Sequence, residues 1–169
     1  FQGAMPLKND EVISNEEYSI RALLTPGHVS NHICYLVEED KILITGDHMM
    51  QGSTVVIVPP AGSMKDYIDS LKRMQTYAVY YVAPGHGDLI GEPNREIMRL
   101  IDHRLKREKK VQNALTSARQ ATIDELVPVV YDDVDQSLHK WAALSLHAHM
   151  IKLEIEQSVT KNGDSWTIN

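Results

Sequence analysis

A single cysteine, Cys34, is all that the 169 residues contain, so no internal disulfide can form. That usage fits a reducing, cytoplasmic setting. Within the strand-like run Ile33-Cys34-Tyr35-Leu36-Val37 the thiol reads as a small buried side chain rather than a nucleophile. No apolar stretch approaches the ~20 residues that a membrane-crossing helix needs, so no membrane partner is expected. A secretory signal is lacking too. Phe1-Gln2-Gly3-Ala4-Met5 looks like a protease-site and cloning remnant, with native sequence expected from Met5 or Pro6. Positive charge is short overall, with 17 Lys and Arg against 23 Asp and Glu and a net charge of −6.

What is present describes a globular chain: 43% hydrophobic and 24% charged residues, enough length for one medium domain or two small ones. The charge is uneven. Residues 94–121 hold eight basic against three acidic residues (+5), and residues 122–169 three against eight (−5). The basic stretch could attract an anionic substrate, but it reads first as the solvated face of a long helix.

Three short runs organise the sequence: Thr25-Pro26-Gly27-His28, Thr45-Gly46-Asp47-His48 and Ala83-Pro84-Gly85-His86-Gly87. Each follows a strand-like stretch, over Tyr18 to Leu24, Lys41 to Ile44 and Tyr80 to Val82. A strand ending on a glycine turn delivers the next side chain to the sheet edge at a fixed place. Imidazole with carboxylate is a donor mixture that suits zinc and similar divalent ions. Each run alone also fits an ordinary turn with a solvated histidine; the repetition of order and context favours one shared site. Antiparallel pairing of Ile33–Val37 with Ile42–Thr45 brings the end that follows His28 beside the end that precedes Asp47.

Elsewhere the pattern alternates strand and helix, hence an α/β class. Gln51 to Ser63 is a breaker-rich loop long enough to wall a pocket. Ser63 can cap a helix from Met64 to about Tyr77. Asn94 can cap a second helix to about Thr116, with Ile97, Leu100, Ile101, Leu105, Val111 and Leu115 as its apolar stripe and Arg104, Arg107 and Glu108 on its charged side. A boundary is expected near Ser117–Ala121. After it, Thr122 and Glu125 form a capping-box pattern before a short helix. A further helix spans about Ser137 to Gln157, with Leu138, Trp141, Leu144, Ala148, Ile151 and Ile155 inward. Asn162-Gly163 then closes a terminal hairpin. Helices followed by a hairpin resemble a winged helix, but a −5 tail is a poor match for nucleic acid.

In TPGHVSNH, ITGDHMM and APGHG, residues His28, Asp47 and His86 resemble the third, fourth and fifth metal-binding motifs of metallo-β-lactamase-fold hydrolases, in family order. The segment from Gly46 through Gln51-Gly52-Ser53-Thr54, Val58-Pro59-Pro60 and Met64-Lys65-Asp66-Tyr67 to Leu71 resembles a bacterial subgroup with a C-terminal winged-helix-like domain. The resemblance implies half of an αββα sandwich over residues 6–119, then a small winged-helix-like α+β domain over 120–169. It implies a hydrolase in which a divalent pair, usually zinc, activates water against an ester, thioester, amide or phosphodiester bond. His28 would ligate one ion, Asp47 bridge both and His86 ligate the second. His32 and His48 would support these ligands, or His48 would face a small-molecule substrate. The family's His-x-His-x-Asp-His run is missing. The sole His-x-His, His147-Ala148-His149, lies in helical sequence, where residues two apart point to different sides. The chain is therefore expected to be a truncated C-terminal half that binds zinc weakly and lacks activity, with the water-orienting acid outside it. The uncovered sheet would then favour self-association or element exchange. A nuclease of the same superfamily and a non-catalytic binding module remain alternatives.

Overall fold

The computed structural model describes residues 6–169; the expected remnant at 1–5 lies outside them. The first sheet runs in chain order through β1 (Val12–Ser14), β2 (Ser19–Leu24), β3 (Ile33–Val37), β4 (Ile42–Gly46) and β5 (Tyr81–Pro84). The first four strands form an antiparallel meander, and β5 joins β4 in parallel. A parallel neighbour requires a crossover, which the 51–63 loop and helix α1 (Met64–Met74) provide. Ser63 caps α1 by accepting from the Asp66 amide at 3.2 Å.

Register decides which side chains share a face. Leu23, Cys34, Leu36, Leu43 and Val82 point one way and are fully or almost fully buried against Tyr67, Ile68 and Leu71 of α1 and Ile97 and Leu100 of α2 (Pro93–Ala118). Ile20, Leu24, Ile33, Tyr35, Val37, Ile42, Ile44 and Tyr81 point the other way, and none joins a buried core. Ile44 and Tyr81 keep 44% and 46% of their surface exposed. One face of this sheet is thus apolar and, among the described residues, without a covering layer.

Helix α2 departs from expectation in two ways. It starts at Pro93 rather than behind an Asn94 cap; proline suits the first turn, where its missing N–H has no partner to lose. Its charged residues Arg104, Arg107 and Glu108 are buried, not solvated. Each meets a group from another element, a neutral carbonyl alone for Arg104 and opposite charges for Arg107 and Glu108. Arg104 donates to the Val55 carbonyl, Arg107 to Val130 and Asp133, and Glu108 meets His149 and Lys152. The helix serves two cores, with Ile97 and Leu100 in the first and Val111 and Leu115 in the second, while Leu105 faces solvent.

The tail comprises β6 (Gln120–Thr122), α3 (Ile123–Val130), a 3-10 turn at Gln136–Leu138, α4 (His139–Ile155), β7 (Val159–Asn162) and β8 (Ser165–Ile168), with the sheet ordered β6-β8-β7. The capping box forms as expected: Thr122 Oγ1 accepts from the Glu125 amide, and the Glu125 carboxylate accepts from the Thr122 amide at 2.8 Å. The hairpin's two-residue loop is Gly163-Asp164, with positive φ at the glycine alone, the sign pattern of a type II′ turn. No helix among the described residues is long and apolar enough to cross a membrane.

The expected inward face of α4 needs correction. Leu138, Trp141 and Ile155 are 51%, 56% and 58% exposed, whereas Ala142, Leu146, Met150 and Leu153 are buried. Ala148 reaches the first core while Leu146, Met150 and Leu153 enter the second, so burial from two sides erases a single stripe. His147 and His149 diverge as expected: His147 stands edge-on to Trp166, and His149 lies buried against Glu108.

Glu108 links α2 to α4, accepting from Lys152 Nζ at 2.9 Å and lying 3.4 Å from His149 Nδ1. Removing one member strands the other charges in a low-dielectric interior. Glu108→Ala should lower unfolding free energy by about 3 kcal/mol in urea titrations; a change within about 0.5 kcal/mol, as at ordinary surface sites, would show that the cluster does not hold the helices together.

Candidate functional site

Topology alone assembles a rim. Leu24 pairs with Ile33, Tyr35 with Ile44, and Gly46 with Pro84. The ends of β2, β4 and β5 and the start of β3 therefore lie at one sheet edge, and His28, His32, Asp47 and His86 follow or precede those ends.

Asp47 and His86 leave adjacent parallel strands at the same level. Gly46 takes φ +47°, the pairing shifts register between Ile44 and Gly46, and the Gly85 amide donates to the Gly46 carbonyl at 2.8 Å. Asp47 Oδ1 then stands 3.3 Å from His86 Nε2, with both side chains at least half exposed. A Cβ on Gly85 would lie 2.9 Å from Asp47 Oδ1 and from the Gly46 carbonyl carbon, so only glycine permits this approach. Gln51 latches the loop: its amide donates to the His86 carbonyl at 3.2 Å and its Oε1 accepts from the Asp88 amide at 2.8 Å.

His28 sits on a loop clamped by α1. The Gly27 carbonyl accepts from the Ser63 amide, and Ser70 Oγ donates to the Pro26 carbonyl, both at 2.8 Å. A Cβ on Gly27 would meet Tyr67 Cα at 2.4 Å. His28 Nδ1 lies 3.1 Å from the Val56 carbonyl. A carbonyl can only accept, so Nδ1 carries the proton and Nε2 keeps its lone pair for a ligand.

His32 and His48 lie deeper. His32 Nδ1 meets Thr25 Oγ1 at 2.9 Å; burial, then the proximity of the His28 ring, push its pKa down, and Asp47 partly offsets them. His48 is fully buried, with ring centroids 5.3 Å from His32 and 4.8 Å from Tyr67. Neither of its ring nitrogens finds a partner among the described residues. Burial first, then the neighbouring His32 and His28 rings, push its pKa down to about 3. Cys34 is sealed, and burial raises its thiol to about 12, which suits a packing role.

Asp47, His86 and the free nitrogen of His28 have the donor chemistry of a divalent-ion site. Among the described residues, however, no three His, Cys, Asp or Glu side chains are grouped to hold an ion. The chain by itself brings the donors to one rim and two of them into contact, and does not complete a site. Two further positioning roles went unread in the sequence: that of the Val56 carbonyl, because backbone groups leave no residue pattern, and that of Gln51, which belongs to the resembling 51–54 segment but whose contacts depend on the folded loop.

Known proteins share both halves of this chain's sequence. Residues 6–86 match the family described as Metallo-beta-lactamase superfamily, and 122–166 match the Beta-lactamase associated winged helix domain. A lactamase-like protein, nscB, of Trichophyton equinum is 31% identical over 96% of this chain and 52% of its own length. An atrochrysone carboxyl ACP thioesterase of Aspergillus chevalieri is 31% identical over 83% of this chain and 47% of its own length. The chain thus spans about half the length of these relatives. A metallo-beta-lactamase family protein from Thermus thermophilus superposes with TM-score 0.84 at 22% identity, over 99% of this chain and 55% of that one, which shows the fold.

The buried neutral His48 sets a pH dependence. Its folded pKa lies below its unfolded value of about 6.5, so acid favours the unfolded state, and stability present above that value is lost as pH falls toward 3. Between pH 7.5 and 5 His48 should remove about 2 kcal/mol, measured as urea midpoints. An equal pH slope in His48→Gln would show that this ring is not the cause.

Proposed function

Because the chain carries a metallo-beta-lactamase superfamily segment followed by a beta-lactamase associated winged helix domain, we propose that it forms the second half of a metal-dependent hydrolase acting on an ester, thioester or similar bond. The observation that carries this reading is the 3.3 Å contact of Asp47 Oδ1 with His86 Nε2, at the rim where His28 keeps Nε2 free. A thioester is favoured among the bonds because one relative is named as an ACP thioesterase. His28, Asp47 and His86 are the proposed zinc ligands, and the other donors come from sequence that the longer relatives carry and this chain does not cover.

The bare apolar sheet face supports the same reading. A two-sheet sandwich would bury Ile33, Tyr35, Ile44 and Tyr81 against a partner layer, and each large side chain so covered contributes about 1.5–3 kcal/mol. In this chain alone those residues favour pairing between copies. The nuclease alternative gains nothing from the structure, because Arg104 and Arg107 of the basic helix are directed inward.

The test is an acyl-pantetheine thioesterase assay with added zinc, run on the product of the complete reading frame and on this chain. Turnover is expected only from the former, falling about a hundredfold in Asp47→Ala and His86→Ala. Thioester hydrolysis by this chain with zinc alone would contradict the half-site reading. Undiminished turnover in both variants would remove the residues from the site.

A further inference from the structure

A second feature lies behind the rim. A cleft of about 540 Å³ opens between the 54–56 segment, α2 and the tail, a volume ordinary for a small-molecule site. Its floor is Arg104, only 4% exposed. That guanidinium donates to the Val55 carbonyl and stands 5.2 Å from the Tyr67 ring centroid, while its Nε is sealed without any partner. Among the described residues no carboxylate pairs with it. Neighbouring Arg107 is different: it forks onto Asp133 at 2.6 and 3.1 Å and lies 4.3 Å from the Tyr131 ring centroid. Of the two buried cations lining the cleft, Arg104 is the uncompensated one.

Such a charge is costly to leave unpaired, and an entering anion recovers much of the cost. The local field agrees. Burial, then the charges of Arg104, Arg107 and Arg99, hold His103 on the same wall down to about 4. Apolar side chains supply much of the remaining wall and the mouth, with Val55 inside and Leu138 and Trp141 more than half exposed. Both depart from the inward stripe expected of this region, Leu138 on the 3-10 turn and Trp141 on α4. An exposed tryptophan and leucine beside a buried cation are what a ligand with an acidic head and an apolar body needs.

We propose that this cleft binds a small organic anion, its carboxylate or phosphate seated on Arg104 and its apolar body against Trp141 and Leu138. The cleft and the rim share one wall, since the Val55 carbonyl holds Arg104 and the Val56 carbonyl holds His28. The binding of an anion there requires no metal.

Calorimetric titration of this chain in EDTA tests the proposal, with 2-naphthoate, 2-naphthyl phosphate and neutral 2-naphthamide as probes. One anion should bind at one-to-one stoichiometry, and whichever binds tighter identifies the head group. The amide should bind at least about tenfold more weakly, as expected when a charge-assisted pair is lost. Trp141→Ala should weaken the anion by about fivefold or more without changing Tm, and Arg104→Gln by about tenfold. His86→Ala should leave affinity unchanged, which separates this result from the fate of the metal reading. If Arg104→Gln does not fold, the amide and Trp141→Ala arms decide. Equal binding of amide and anion, no binding of either anion at millimolar concentration, or full affinity in Trp141→Ala would overturn it.

Discussion

The parallel pairing of β4 with β5 is the constraint on which the rest depends. Antiparallel neighbours put successive strand ends at opposite edges, whereas parallel strands finish side by side. Only through that pairing do Gly46 and Gly85 meet back to back and send Asp47 and His86 to a 3.3 Å contact. The crossover that permits it also does the next task. Helix α1 must return over the sheet, and in doing so it buries Tyr67 and clamps the loop that carries His28. One topological choice therefore positions all three proposed ligands.

Much of this was legible in the sequence because it rests on local rules. Strand runs followed by glycine turns marked β2, β4 and β5; Ser63 and the Thr122/Glu125 pair marked two helix starts; Asn162-Gly163 marked the terminal hairpin, whose loop lies one residue on at Gly163-Asp164. Features made by tertiary contact were not legible. Arg104, Arg107 and Glu108 look like a solvated face until the Val55 carbonyl, Asp133, His149 and Lys152 arrive from elsewhere. The α4 stripe failed because that helix touches two cores at once. Strand β1 is three residues long and exposed, too brief for a period-two signal.

Several levels of observation support the half-site proposal. No His-x-His-x-Asp-His run occurs in the sequence, and among the described residues no three-donor group forms and one apolar sheet face has no covering layer. The chain also spans about half of its relatives' length. By contrast the tail is well finished, with Trp166 1% exposed and the Glu108 cluster tying it to α2. The described chain folds around its helical layer, with the proposed ligands at the sheet rim.

Whether His28, Asp47 and His86 address one point in space is tested most directly by paramagnetic relaxation. With manganese(II) titrated into histidine-labelled chain, the ring signals of His28 and His86 should broaden together, those of His139 and His147 in the tail should stay sharp, and Asp47→Asn should suppress the effect. Broadening of His86 without His28, or equal broadening of the tail histidines, would contradict a common rim.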